Sequence, residues 1–152
     1  MRMADRKALR FHTVTPGEAI LADGSVVLEM RLSGSMGVIL YDRRRRLAAA
    51  CQVRADDEAA SLRERLDAAS LGLLVRMIQQ GSDPEHLEIF ALGTGECPAG
   101  GRWPAGAELP LPQGRVALAY STPENGWGRR VEFDVAAGRI VIEEGPPAGP
   151  GG

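Results

Sequence analysis

The 152-residue chain predicts an α/β (α+β) sandwich, with mixed β-sheets and one main helix. Two observations carry this. Short apolar runs rich in β-branched residues recur along the chain, separated by Gly, Asp, Arg and Pro turns. Between about Ala59 and Gln80, and only there, the apolar residues follow a sustained helical period: Leu62, Leu66, Ala69, Leu73, Leu74, Met77 and Ile78 form one stripe. An apolar content of 44% is enough for a sizeable core, and the length fits one domain, assigned to residues 11–144.

Taken in order, residues 1–10 are expected to form a flexible N-terminal arm. Phe11–Val14 and Ala19–Leu21 read as short strands, the second stopped by the turn pair Asp23-Gly24. Val26–Leu32 is a further strand. Met36–Tyr41 and Leu47–Val53 flank the charged stretch from Asp42 to Arg46, which predicts a β-hairpin turning at Arg43–Arg46. Gly81 is placed to cap the C-terminus of the helix. Ser70 and Gly72 weaken the helical pattern, so its first half is open to being a separate turn. Leu87–Leu92 reads as a buried strand. Ten of the fifteen residues from 98 to 112 are Pro, Gly or Ala, and Pro98, Pro104, Pro110 and Pro112 break any helical register, so this stretch is expected to be irregular and exposed. Val116–Tyr120 and Arg130–Val135 read as strands, and Ala136-Ala137-Gly138 joins the latter to Arg139–Glu143 as a second hairpin. The Gly- and Pro-rich tail 145–152 is expected to be disordered.

Composition excludes several classes. The formal net charge is −2, with 25% charged residues, which gives no overall bias towards nucleic acid. Neither a membrane-spanning run nor a signal core is present in the sequence, so a cytoplasmic protein is expected, with no nucleic-acid or membrane partner. Two cysteines, Cys51 and Cys97, are too few for a disulfide scaffold, and with two histidines, His12 and His86, no metal site or cofactor is expected. Lysine occurs once, at Lys7, and with much Ala, Gly and Pro this reads as a GC-rich bacterial genome.

Three stretches, in order, resemble the CheD family of bacterial chemoreceptor glutamine deamidases. The first runs from Gly17-Glu18-Ala19 through Leu32-Ser33-Gly34-Ser35-Met36-Gly37-Val38-Ile39-Leu40-Tyr41-Asp42, similar to the family's Gly-Glu start, T-L-G-x-G-S-C-V-x-V segment and Tyr-Asp turn. The second, Asp67 to Ala91, resembles its Asp-x-Ala helix and Leu-Glu strand leading to a turn at Gly93. The third, Asn125 to Asp134 with Gly138-Arg139, resembles its closing hairpin. Together they cover most of residues 17–145. The resemblance implies a CheD-like sandwich related to the catalytic domain of cytotoxic necrotizing factor toxins. It also implies partners: a chemoreceptor cytoplasmic domain or a CheC-like phosphatase.

The resemblance further implies where a site would lie and what has changed there. Glutamine deamidation needs a thiolate nucleophile, a base and a group that orients the base. The family cysteine maps to Met36, or to Ser35 if a one-residue gap moves. The family histidine maps to Gln52, which cannot act as a base. The family threonine maps to Met30 or Glu29. A segment carrying a further family motif and helix is replaced by residues 98–112. A diverged, catalytically inactive binding homologue is therefore expected, with an active deamidase using Ser35 or Cys51 as the alternative. A sandwich of some other bacterial function, similar only locally, is the third reading.

Other features have blander readings. Cys51, next to Gln52, reads as a small buried strand residue rather than a displaced nucleophile. His12 and His86 read as surface or packing residues. Arg43–Arg46 reads as a solvated turn, with docking to an acidic partner as its sharper alternative. Gly93-Thr94-Gly95 has no helix signal after it and is discounted as a phosphate cradle. Trp103 and Trp127 lie in loop-like context and suit either an interface or a cap on the core.

Overall fold

A computed structural model describes residues 10–32, 35–54, 59–92, 115–120 and 128–145. Among the described residues, nine strands form two sheets, with one α-helix and a short 3₁₀ helix. The first sheet joins β1 (Arg10–Thr13), β3 (Val26–Leu32), β8 (Gly128–Asp134) and β9 (Arg139–Gly145) in the order β1-β3-β8-β9. The second joins β2 (Ala19–Ala22), β5 (Leu47–Arg54), β4 (Ser35–Asp42), β6 (Glu88–Leu92) and β7 (Arg115–Tyr120) in the order β2-β5-β4-β6-β7. Both sheets are mixed: β1 runs parallel to β3 and β6 parallel to β7, and the other pairs are antiparallel. The fold is therefore an α+β sandwich of two sheets and one helix, as the sequence predicts.

All eight residues of β4 are buried. Its two faces serve two cores, because successive strand residues point to opposite sides. Met36, Val38 and Leu40 pack with Ala49, Cys51 and Val53 of β5 and with Leu73, Leu74 and Met77 of the helix. Ile39 and Tyr41 pack with Ala48 and Ala50 against Leu28, Met30, Val131 and Phe133 of the first sheet. The alanines of β5 allow close approach on both sides. Tyr41, Phe90 and Phe133 make two edge-to-face contacts, each with centroids 5.0 Å apart. The Tyr41 hydroxyl donates to the Val135 carbonyl across the sheets at 2.5 Å.

The predicted β4–β5 hairpin is present, with Asp42 paired to Leu47 and Arg43–Arg46 as its turn. The β8–β9 hairpin turns at Gly138, whose φ of +65° suits glycine. The helix, α1 (Ala59–Gln79), is continuous through Ser70 and Gly72, so its first half is not a separate turn. Packing of Leu73, Leu74 and Met77 on the second sheet outweighs the local propensity cost of one glycine. Its end follows the expected cap: Gly81 N–H bonds the Ile78 carbonyl and Ser82 N–H that of Met77, with Gly81 at φ +94°. Ile78, expected on the core stripe, is 45% exposed, because the stripe that packs is narrower than the sequence pattern.

Residues 1–9, 98–112 and 146–152 lie outside the described residues, as do Cys97, Trp103, Trp127 and Gly93–Gly95. No helix among the described residues is long and apolar enough to cross a membrane.

Tyr41→Phe removes the bond to Val135 while keeping the ring. It is expected to lower stability by about 1–2 kcal/mol, read from urea unfolding. An unchanged midpoint would show that the bond does not tie the sheets together.

Candidate functional site

Strand register decides which candidate residues meet. Gly37 on β4 is paired with Gln52 on β5. Ser35 lies two residues from Gly37 and so shares its face. That face looks towards the first sheet, and both Ser35 and Gln52 are buried there, at 1% and 2% exposure. The Ser35 hydroxyl donates to Gln52 Oε1 at 2.6 Å. Gln52 Nε2 donates to the Val14 carbonyl at 2.6 Å. The amide orientation is therefore fixed from both ends.

Gln52 is also held by its backbone. Gly17 N–H bonds its carbonyl at 2.7 Å, and its own N–H bonds the Glu18 carbonyl at 3.3 Å. The segment from Val14 to Glu18 is thus stitched to one residue of β5. Glu18 closes the segment on itself, accepting from the Thr15 N–H at 3.0 Å and contacting His12 Nε2 at 3.1 Å. The Thr15 N–H and then His12 hold the Glu18 carboxyl below its usual range.

The other candidates divide between the two sides. Met36 faces α1, on the opposite side of β4 from Gln52. Met30 faces inward over Gly37: a Cβ added there would sit 2.6 Å from Met30 Sδ, so only glycine leaves that thioether its place. Glu29 lies on the outer face of the first sheet. Desolvation pushes its carboxyl up, but the Arg130 guanidinium, donating from Nε at 2.9 Å, holds it below the usual range. Ser35, Gln52 and Met30 therefore share one space, and Met36 and Glu29 do not. The Val14 carbonyl has no signature in the sequence, since any residue supplies one; only the pairing of the strands reveals it.

Cys51 points the other way from Gln52, into the core beneath α1. Burial pushes its thiol up to about 12, only partly offset by a backbone hydrogen bond with Val38. A thiol in that state is inert at neutral pH. A cleft of about 400 Å³ opens beside it, lined by Pro16, Gly17, Glu18, Gln52, Arg54 and Arg65, among others. Ser35 is not part of that lining. His12 contacts Glu18 and His86 lies 3.6 Å from Asp83, so each histidine has an acidic neighbour. No group of three or more His, Cys, Asp or Glu able to hold a metal occurs among the described residues.

No family model and no curated protein matches the chain. Among solved structures, the hypothetical protein YfiH of Bacillus licheniformis is similar over 57% of this chain, with 18% identity and a TM-score of 0.38. The match spans 37% of that protein.

In a Cys97→Ser background, alkylation of Cys51 by iodoacetamide at pH 8 is expected to be slower than in the urea-unfolded chain by about 1000-fold or more, since the thiolate is scarce and buried. Comparable rates in the two states would show an accessible, ionised thiol.

Proposed function

We propose that this chain is a CheD-like protein of bacterial chemosensory signalling that binds its partners without deamidating them. The partners are a chemoreceptor cytoplasmic domain or a CheC-like phosphatase. The observation that carries the reading is the buried Ser35–Gln52–Val14 chain of hydrogen bonds. A neutral histidine between a nucleophile and an orienting carbonyl would accept from the first and donate to the second. Gln52 reproduces that pattern of one acceptor and one donor, but its amide cannot take up a proton. Ser35 likewise keeps a hydroxyl where the family thiol would stand, and its hydrogen-bond partner among the described residues is the Gln52 amide, which cannot ionise it. The polar groups of this buried cluster are satisfied by one another, and none of the three can carry the proton that acylation requires. Fold and interface are separable from catalysis, so a scaffold of this kind keeps its contacts.

The alternative of an active deamidase finds no support in either candidate nucleophile. The Ser35 hydroxyl is committed to an amide oxygen, and Cys51 is buried beneath α1 with its thiol protonated.

The purified protein is expected to bind chemoreceptor cytoplasmic fragments and to leave their glutamines intact. Ammonia release and the mass change from amide to acid are the measurements. Clear turnover, abolished by Ser35→Ala or Cys51→Ala, would overturn the reading. Ser35→Cys combined with Gln52→His is expected to restore weak turnover, and either change alone is not, because such groups act as a unit.

A further inference from the structure

β9 ends the first sheet: it has β8 on one edge and, among the described residues, no strand on the other. It is seven residues long, whereas the edge strands β1 and β2 have four each. A free edge of that length presents unpaired N–H and C=O groups, and proteins ordinarily blunt it with a bulge, a proline or a charge aimed inward. Between Arg139 and Glu143, β9 carries none of these, and its register with β8 runs without interruption.

Side chains alternate along the strand. Ile140 and Ile142 point inward and pack, half-buried, against the core between the sheets. Arg139, Val141 and Glu143 point outward and are exposed, Val141 at 45%. Arg139 makes no hydrogen bond or ion pair with a described residue. Glu143 has one long contact, from Arg130 Nη1 at 3.4 Å, and its side chain stays 64% exposed. Arg130 is held chiefly by Glu29 and Glu132, so the Glu143 carboxylate is free to take a second cation. The run Arg139-Ile140-Val141-Ile142-Glu143 is therefore complementary to itself: read backwards, it keeps its apolar pattern and exchanges its charges.

We propose that β9 pairs antiparallel with β9 of a second copy of this chain, about a two-fold axis through Val141, joining two four-stranded sheets into one of eight. In that register Arg139 of each copy lies across from Glu143 of the other, Val141 from Val141, and Ile140 from Ile142. Other registers lose the match. A one-residue slip sets outward side chains against inward ones. A slip of two sets a charge against Val141, and a slip of four sets Arg139 on Arg139 or Glu143 on Glu143. Cross-strand pairs of opposite charge or of β-branched side chains stabilise, and like charges directly opposite do not. The exposed ion pairs select the register more than they add affinity. One strand edge buries less than the roughly 800 Å² per partner of a standard interface, so the dimer is weak and reversible. A strand from an unrelated protein fits less well, because the match is of this sequence with itself. The surface is independent of the Ser35–Gln52 pair and of any deamidase ancestry.

The test is sedimentation equilibrium of the full chain from about 10 μM to about 1 mM, where a reversible monomer–dimer equilibrium is expected. Val141→Lys, at an exposed site, sets like charges on the axis and is expected to weaken dimerisation about tenfold or more. Arg139→Glu alone sets carboxylates against Glu143, and Glu143→Arg alone sets guanidinium groups against Arg139. Each is expected to weaken the dimer, and an equimolar mixture of the two is expected to restore it, because every mixed pair is then of opposite charge. Recovery on mixing also shows that both variants are folded. The proposal is overturned by a monomer across the whole range, by a dimer that Val141→Lys leaves unchanged, by single charge variants that dimerise as tightly as the native chain, or by single variants that stay monomeric when mixed.

Discussion

The burial of β4 on both faces is the constraint from which the rest of the molecule follows. A strand packed by a sheet on one side and a helix on the other must be apolar along its whole length, and β4 nearly is. Its neighbour β5 meets the same demand with small residues: Ala48 and Ala50 face the first sheet, where Tyr41 and Phe133 meet, and Ala49 faces α1. Polar groups are admitted only at the two ends of β4, where Ser35 and Asp42 are each fully engaged. The buried Ser35–Gln52 pair and the arginine turn thus lie at the two ends of one buried strand.

At the Ser35 end, a polar pair survives in an apolar setting because every hydrogen-bonding atom of its short chain has a partner. A buried amide left half-satisfied would cost more than an apolar replacement. Gln52 meets that requirement by latching the segment Val14–Glu18, which gives the residue a structural role whatever its ancestry. The same bonds keep the Ser35 hydroxyl occupied as a donor. On the proposed reading, the bonds that satisfy the buried pair are also the ones that occupy its hydroxyl.

Much of the fold was legible in the sequence, and the reasons are local. Two apolar runs split by Asp42–Arg46 dictated a hairpin, and Gly81 and Gly138 stand where positive φ is needed. The parallel pairings of β1 with β3 and β6 with β7 were not legible, because they join segments whose register no local signal sets. The choice between Ser35 and Met36 was open in sequence for a related reason: a one-residue shift moves a side chain to the other face. The pairing of Gly37 with Gln52 shows only which of the two lies beside Gln52: Ser35 does, and Met36 lies under α1. The continuity of α1 and the exposure of Ile78 were set by packing, which propensity does not encode.

The central claim is that the Ser35 hydroxyl is an occupied donor and not an activated nucleophile. Incubation of the native protein with a fluorophosphonate, followed by peptide mass spectrometry, tests it most directly, because such reagents label serines that a neighbouring base has activated. No adduct at Ser35 is the predicted result. A stoichiometric adduct at Ser35, lost on Gln52→Leu, would contradict the account.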